Sequence, residues 1–149
     1  MNQIKIKRID ENLPLPRYET KGSVGFDLLC RKSVTIASHS VGLIPANIIV
    51  ETPPGYMLMV TLRSSTPSKQ GLLIPHGVGV IDQDYCGEGD EIKIQVYNFR
   101  TESVTIERSS RIAQGIFVKV ERGDWFEVDQ MVSETRGGFG STDCEKSKR

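Results

Sequence analysis

Neither sign of charge is in excess: nineteen Lys and Arg residues offset nineteen Asp and Glu, for a formal net charge of +0. No global field therefore draws the chain to DNA, RNA or a membrane surface, and only a local basic groove remains open. Cysteine is scarce too. Cys30, Cys86 and Cys144 are odd in number, widely spaced, and lack a CxxC motif or a nearby His pair, which argues for a reducing compartment and against zinc. No run approaches the roughly 20 apolar residues of a membrane span. The opening MNQIKIKRIDENLP has no signal-peptide core. A soluble, cytoplasmic protein with no nucleic-acid and no membrane partner is expected. Also missing are an internal repeat, a linker long enough to split 149 residues, and any long stretch with the i, i+3, i+4 spacing of an amphipathic helix. A single domain of this length buries its own core without staples.

What the chain does have is a succession of short β-branched and alternating runs. Ile4–Ile9 alternates apolar and charged residues, and Leu13-Pro14-Leu15-Pro16 stops it, because proline removes a ladder donor. Lys21–Leu29 is a Gly-rich entry into a second apolar strand. Ser33–Ile36, Val41–Ile44, Asn47–Val50, Tyr56–Leu62, Glu91–Phe99, Val104–Ile106 and Ile112–Val120 follow, with turn chemistry such as Thr52-Pro53-Pro54-Gly55 between them. Only Ser64–Gly71 reads as one short helical turn, with Pro near its start and Gly at its end. Strands at about 8–12-residue spacing predict an all-β sandwich or barrel.

Five stretches carry candidate chemistry. In Gly71–Gly87, GLLIPHGVGVIDQDYCG, an apolar run ends in Asp82, Gln83, Asp84 and Tyr85, which either make a turn or leave a site at a strand end. Asp27 lies inside an apolar run, so its carboxylate is either paired or aimed into a cleft. Arg63-Ser64-Ser65, between a strand and a helical turn, and Arg111-Ile112-Ala113-Gln114 offer cations, hydroxyls and amides suited to phosphate, or ordinary caps and surface charges. From Ser133 the chain turns small, polar and Gly-rich, as a disordered end or as an anion-binding lid with Phe139 for stacking.

In order and kind these stretches resemble the five motifs of the trimeric dUTP pyrophosphatases (dUTPases), over nearly the whole length. The motifs are Gly22–Leu28; Arg63-Ser64-Ser65 with Lys69 and Gly71; Gly79–Gly87; Arg111–Gln114; and Gly137–Thr142. The resemblance implies a distorted jelly-roll β-sandwich over residues 1–132 and a flexible arm, residues 133–149, closing over the site. It implies hydrolysis of dUTP to dUMP and pyrophosphate. Asp82 is then the general base that activates water at the α-phosphorus, and the Tyr85 ring packs on the deoxyribose. Main-chain groups of a hairpin around His76, Gly79, Val80 and Ile81 read uracil. Arg63, Ser64, Ser65 and Gln114 hold the phosphates, with Arg136 as a displaced helper. Phe139 stacks on the base, Gly140 belongs to the same substrate-binding stretch, and Ser141 and Thr142 meet the γ-phosphate. Magnesium rides on the triphosphate, with Asp27 reaching it only through water and no other direct ligand. The implied partners are dUTP and two further copies in a homotrimer with shared sites.

Three departures from the family pattern stand out. Glu134 holds the place of the usual arginine, with Arg136 directly before the Gly-Gly pair. Asp143 replaces a glycine, and Glu88–Glu91 lengthens the chain after Gly87, read here as a bulge or extended hairpin. A related activity, dCTP deamination alone or combined with dUTP hydrolysis, needs a glutamate three residues before the strand-ending Asn98. That place is Gln95, which leaves only Glu91 as a substitute. A non-catalytic β-sandwich regulator is the other alternative, and it would not need Asp82, Tyr85, Ser64, Gln114 and Phe139 together.

Overall fold

The computed structural model describes residues 3–138; Phe139, Gly140, Ser141, Thr142, Asp143 and Cys144 lie outside it. Eleven strands and one short helix are present among the described residues. β1 (Ile6–Arg8) pairs with β5 (Ile48–Val50), and β3 (Val34–Ile36) with β10 (Val104–Ile106). A four-stranded sheet runs in the order β2 (Phe26–Leu29), β11 (Arg111–Lys119), β6 (Tyr56–Leu62), β8 (Gly79–Ile81). A three-stranded sheet places β9 (Lys93–Asn98) between β4 (Val41–Pro45) and β7 (Leu72–Leu73). Every pairing is antiparallel. The fold is all-β.

Alternation decides which face each strand buries. On β6, Leu58 and Val60 point inward; across the ladder Gly115 stands opposite Val60 and Phe26 opposite Gly115. Ile44, Ile94, Val96 and Leu72 supply the facing layer, and Ile36, Ile106, Ile48 and Val50 close the ends, so all four sheets share one core. Asn98 is fully buried at the end of β9. It is satisfied by main chain: its Nδ2 reaches the carbonyls of Ile36, Ala37 and Glu102 at 2.8–3.1 Å, and its Oδ1 accepts the Arg100 N–H.

The helical turn appears as α1 (Thr66–Gln70), closed by Gly71 at φ 69°. A side chain at Gly71 would collide with Arg100, whose Nε lies 2.4 Å from where the Cβ would be, so glycine is needed for both reasons. Two expectations need correcting. β7 and β8, the arms of the Pro75-His76-Gly77 turn, pair with β9 and β6 respectively, so the turn links two sheets and no ladder closes it as a hairpin. The extra residues after Gly87 form neither a bulge nor a hairpin. They make a small turn closed on itself, Gly87 N–H donating to Asp90 Oδ2 (2.7 Å) and Asp90 N–H to Gly87 O (3.0 Å). Val120 donates to Gly55 O, and residues 121–138 are exposed without regular secondary structure.

Candidate active site

β6 separates the sequence-predicted residues into two groups. At its Leu62 end, Arg63 follows the strand and donates its N–H to Ile112 O (2.9 Å), while Thr66, buried, donates its hydroxyl to the same carbonyl (2.7 Å). These bonds lock the strand-to-helix turn against β11. Ser64 and Ser65 sit on that turn. Ser65 is the N-cap residue, yet its hydroxyl makes no capping bond, and Ser64 is exposed. Both hydroxyls remain available to a ligand.

Beside this turn, β2 places Asp27 opposite Gln114 of β11, which in turn stands opposite Thr61 of β6. The ladder shifts register between Arg111 and Ala113, a bulge that re-aims the side chains at its edge. Asp27, with only 12% of its side chain exposed, lies between two guanidinium groups, 3.3 Å from Arg63 Nε and 3.3 Å from Arg111 Nη1. Arg111 Nη1 also contacts Glu19 Oε1 at 2.7 Å. The buried carboxylate is therefore paired. Gly25 lets Gln114 approach: a Cβ there would lie 2.8 Å from Gln114 Oε1.

The second group lies at the Tyr56 end. Ile81 pairs with Leu58, so Asp82 leaves β8 near the start of β6, and Gln83 Nε2 donates to Tyr56 O (3.0 Å). Asp82 and Asp84 are exposed, and among the described residues neither joins an ion pair. With Tyr56, Gln83, Val120 and Arg122 they line a groove of about 530 Å³. Tyr85 N–H donates to Asp82 O (3.3 Å), and the ring is 37% exposed. β8 is the outermost strand of its sheet, so beyond β6 its other edge presents main-chain groups without a neighbour. His76 is exposed in the preceding turn, where its carbonyl accepts Val78 N–H (3.1 Å). Arg136 lies in the exposed segment after β11, outside any strand.

The two groups do not meet. Tyr56–Leu62 is seven residues, which at about 3.3 Å per residue puts roughly 20 Å between Arg63 and Asp82.

Glu91 is occupied elsewhere. Its carboxylate takes a bidentate pair from Arg31 (2.8 Å and 2.8 Å) and the Asn47 N–H (2.9 Å). Burial alone would raise its pKa, but the Arg31 and Asn47 hydrogen bonds and nearby positive charge outweigh that and hold it below 4.5. A carboxylate held in its charged form and engaged by Arg31 and Asn47 is poorly placed as a proton shuttle. Cys30, fully buried, has its thiol pushed up to about 12 by burial and is inert.

Sequence reasoning passed over Glu19 and Arg122. Glu19 lies in a loop whose composition signals nothing, and only the fold brings it to Arg111. Arg122 follows the last strand, where period-2 patterning has ended.

Comparison with known proteins identifies the family. A family model described as dUTPase matches residues 11–144. The chain belongs to the dUTPase family. It is 37% identical to the deoxyuridine 5'-triphosphate nucleotidohydrolase of Helicobacter pylori (strain P12), over 97% of this chain and 99% of that protein. The Fusobacterium nucleatum subsp. nucleatum protein of the same name is also 37% identical, over 95% of this chain and 99% of its own length. Among solved structures, the dUTPase of Streptococcus mutans superposes with a TM-score of 0.75 at 32% identity, covering 80% of this chain and 98% of that one. A variant of the Staphylococcus bacteriophage 80alpha dUTPase with dUpNHpp shares the fold, with a TM-score of 0.83 at 23% identity, covering 95% and 99%.

Proposed function

We propose that the protein hydrolyses dUTP to dUMP and pyrophosphate, limiting uracil incorporation into DNA and supplying dUMP for dTMP synthesis. The relatives' shared name supports the substrate. The geometric observation that carries the chemistry is the position of Asp82, one residue beyond an edge strand whose outer side is unpaired. Main-chain donors and acceptors of Gly79–Ile81, fixed by pairing with β6, suit the Watson–Crick edge of uracil. Asp82 then stands beside the bound nucleotide, exposed and able to orient and deprotonate a water aimed at the α-phosphorus. Tyr85 packs on the sugar, leaving no room for a 2′-hydroxyl.

The phosphates are held at the other end of β6 by Arg63, Ser64, Ser65 and Gln114. Because one chain separates these from Asp82, a complete site requires Asp82 of one copy and Arg63 of another, and a closed homotrimer supplies this three times. Two features support the assembly. The outward face of the four-stranded sheet carries Met57, Met59, Val80, Ile116 and Val118, apolar and only partly covered. The segment after β11 exposes Trp125 (100%), Phe126 (90%), Met131 and Val132, side chains that a lone chain leaves in water. The arm from Ser133, with Phe139 stacking on uracil and Arg136, Gly140, Ser141 and Thr142 near the phosphates, closes the site. Free thiols at Cys30 and Cys86 suit a reducing, cytoplasmic setting.

Magnesium fits only as an ion borne by the substrate. Among the described residues no group of three His, Cys, Asp or Glu side chains comes together, and both Asp27 oxygens already face arginines. Asp27 would meet the ion through water; when bound, the ion offsets triphosphate charge.

Incubation with Mg²⁺ and dUTP, dCTP, UTP or dTTP, following pyrophosphate and ammonia separately, tests the reading. Pyrophosphate from dUTP alone supports it, and ammonia from dCTP sinks it.

A further inference from the structure

We propose that the Arg31–Glu91 ion pair is a positioning device for Tyr85, so that discrimination between deoxyribose and ribose is set in part by two residues outside the substrate groove. The inference rests on the dUTP reading above.

Tyr85 has few restraints. Its backbone is turned by the bond to Asp82 O, but neither aromatic pair among the described residues includes its ring. Its one side-chain tether is the hydroxyl, which donates to the main-chain carbonyl of Glu91 at 3.4 Å. That distance lies at the outer edge of hydrogen bonding, so a carbonyl displaced by a few tenths of an ångström releases the phenol.

That carbonyl is held from two sides: the N–H of its own peptide unit, Ile92, donates to Ile48 O (3.0 Å), and the Glu91 side chain is anchored in turn. Glu91 is 7% exposed and gripped by two parallel guanidinium bonds from Arg31, a geometry that restrains orientation as well as distance. Its Oε1 also accepts Asn47 N–H. Arg31 is anchored by its own N–H to Pro45 O (2.9 Å). Asn47, at φ 69°, is braced on Asp10: its Oδ1 accepts Asp10 N–H (2.7 Å) and its Nδ2 donates to Asp10 O (3.1 Å). The added turn at Glu88–Asp90 is closed by hydrogen bonds between Gly87 and Asp90 and is tied to the body only by the exposed Lys7–Glu88 pair among the described residues. The extra residues lengthen the span between Tyr85 and the body, and Glu91 is the buried point at which that span is held. A pair that merely stabilised the fold would leave sugar selectivity alone when removed.

The test compares kcat and KM for dUTP and UTP, with Mg²⁺, in the full-length protein and in Arg31→Met, Glu91→Gln, Tyr85→Phe and Tyr85→Phe/Glu91→Gln. Loss of either pair member should lower the dUTP-over-UTP ratio of kcat/KM by up to about tenfold, the scale of one lost hydrogen bond. Glu91→Gln should add nothing once Tyr85→Phe is present, since both remove the same tether. Arg31→Lys, which keeps the charge but not the fork, should recover part of the ratio. Thermal melts confirm folding, and Arg31→Met, at a side chain 29% exposed, carries the measurement if Glu91→Gln does not fold. An unchanged ratio in folded variants, or effects that add in the double variant, overturns the inference. Absence of dUTP turnover in the wild-type protein removes the functional reading beneath it, a separate and recognisable failure.

Discussion

At the Leu62 end of β6, charges are paired before any ligand arrives: Asp27 sits between Arg63 and Arg111, and Glu19 holds Arg111 from outside. At the Tyr56 end, Asp82 and Asp84 stand exposed with no ionic partner among the described residues. The difference follows from the tasks proposed for them. Guanidinium groups that must meet a polyanion need a fixed geometry, and a buried carboxylate between them supplies it while limiting their mutual repulsion. A base that must take a proton from water needs a lone pair that nothing else occupies. One end is preorganised by pairing and the other is kept ready by the lack of it.

The largest effect should come from emptying the unpaired end. Asp82→Asn should lower kcat at least a thousandfold, within the usual span for a lost general base, while dUTP binding, read by calorimetry, stays close to wild type. Loss of binding instead would make Asp82 structural. Mixing the ends is the sharper experiment. Asp82→Asn and Arg63→Ala chains, each inactive alone, should regain roughly a quarter of wild-type activity when unfolded together and refolded one to one, because in a random symmetric assembly that share of sites draws an intact residue from each parent. No recovery would mean that both groups serve one chain.

Cutting the chain after Ser133 should lower kcat by one to two orders of magnitude if the arm closes the site; unchanged kinetics would leave it a bystander. A smaller effect concerns stability and pH. Glu91 has a depressed folded pKa, so its contribution is complete above its unfolded value near 4.5 and is lost as pH falls through the lower folded value. Wild type should therefore lose Tm below about pH 4.5 more steeply than Glu91→Gln, in scans from pH 7 to 3. The smallest change is expected from Glu19→Gln, where the pair with Arg111 is about 40% exposed on each side. It should cost under about 1 kcal/mol in denaturant unfolding; a larger loss would show that the paired end depends on its outer partner.

Much of the fold was legible because patterning is local. Tyr56–Leu62 and Val104–Ile106 appear as strands at the bounds that alternation predicts, and the helical turn before Gly71 appears where Pro and Gly punctuate it. The hairpin expected around His76 was misread for a physical reason. A turn signal states that the chain reverses, and β7 and β8 could each find a longer partner in another strand than in one another. Of the site, Asp82, Tyr85, Arg63 and Gln114 were visible as residues. Asp27 was visible only as an anomaly, a carboxylate in an apolar run, with paired and cleft-facing readings both open.

The sequence by itself determined the all-β class, the order of the strands and the identity of the reactive groups, because these depend on side-chain period and chemistry within a few residues. Which groups meet was left to the tertiary structure. Glu91 lies 60 residues from Arg31, and the pairing of Asp27 with Arg63 and Arg111 exists only because β2, β6 and β11 share a sheet. Contacts at such separations depend on strand register, which no local pattern encodes. The same register places the Arg63–Ser65 turn and Asp82 at opposite ends of one strand.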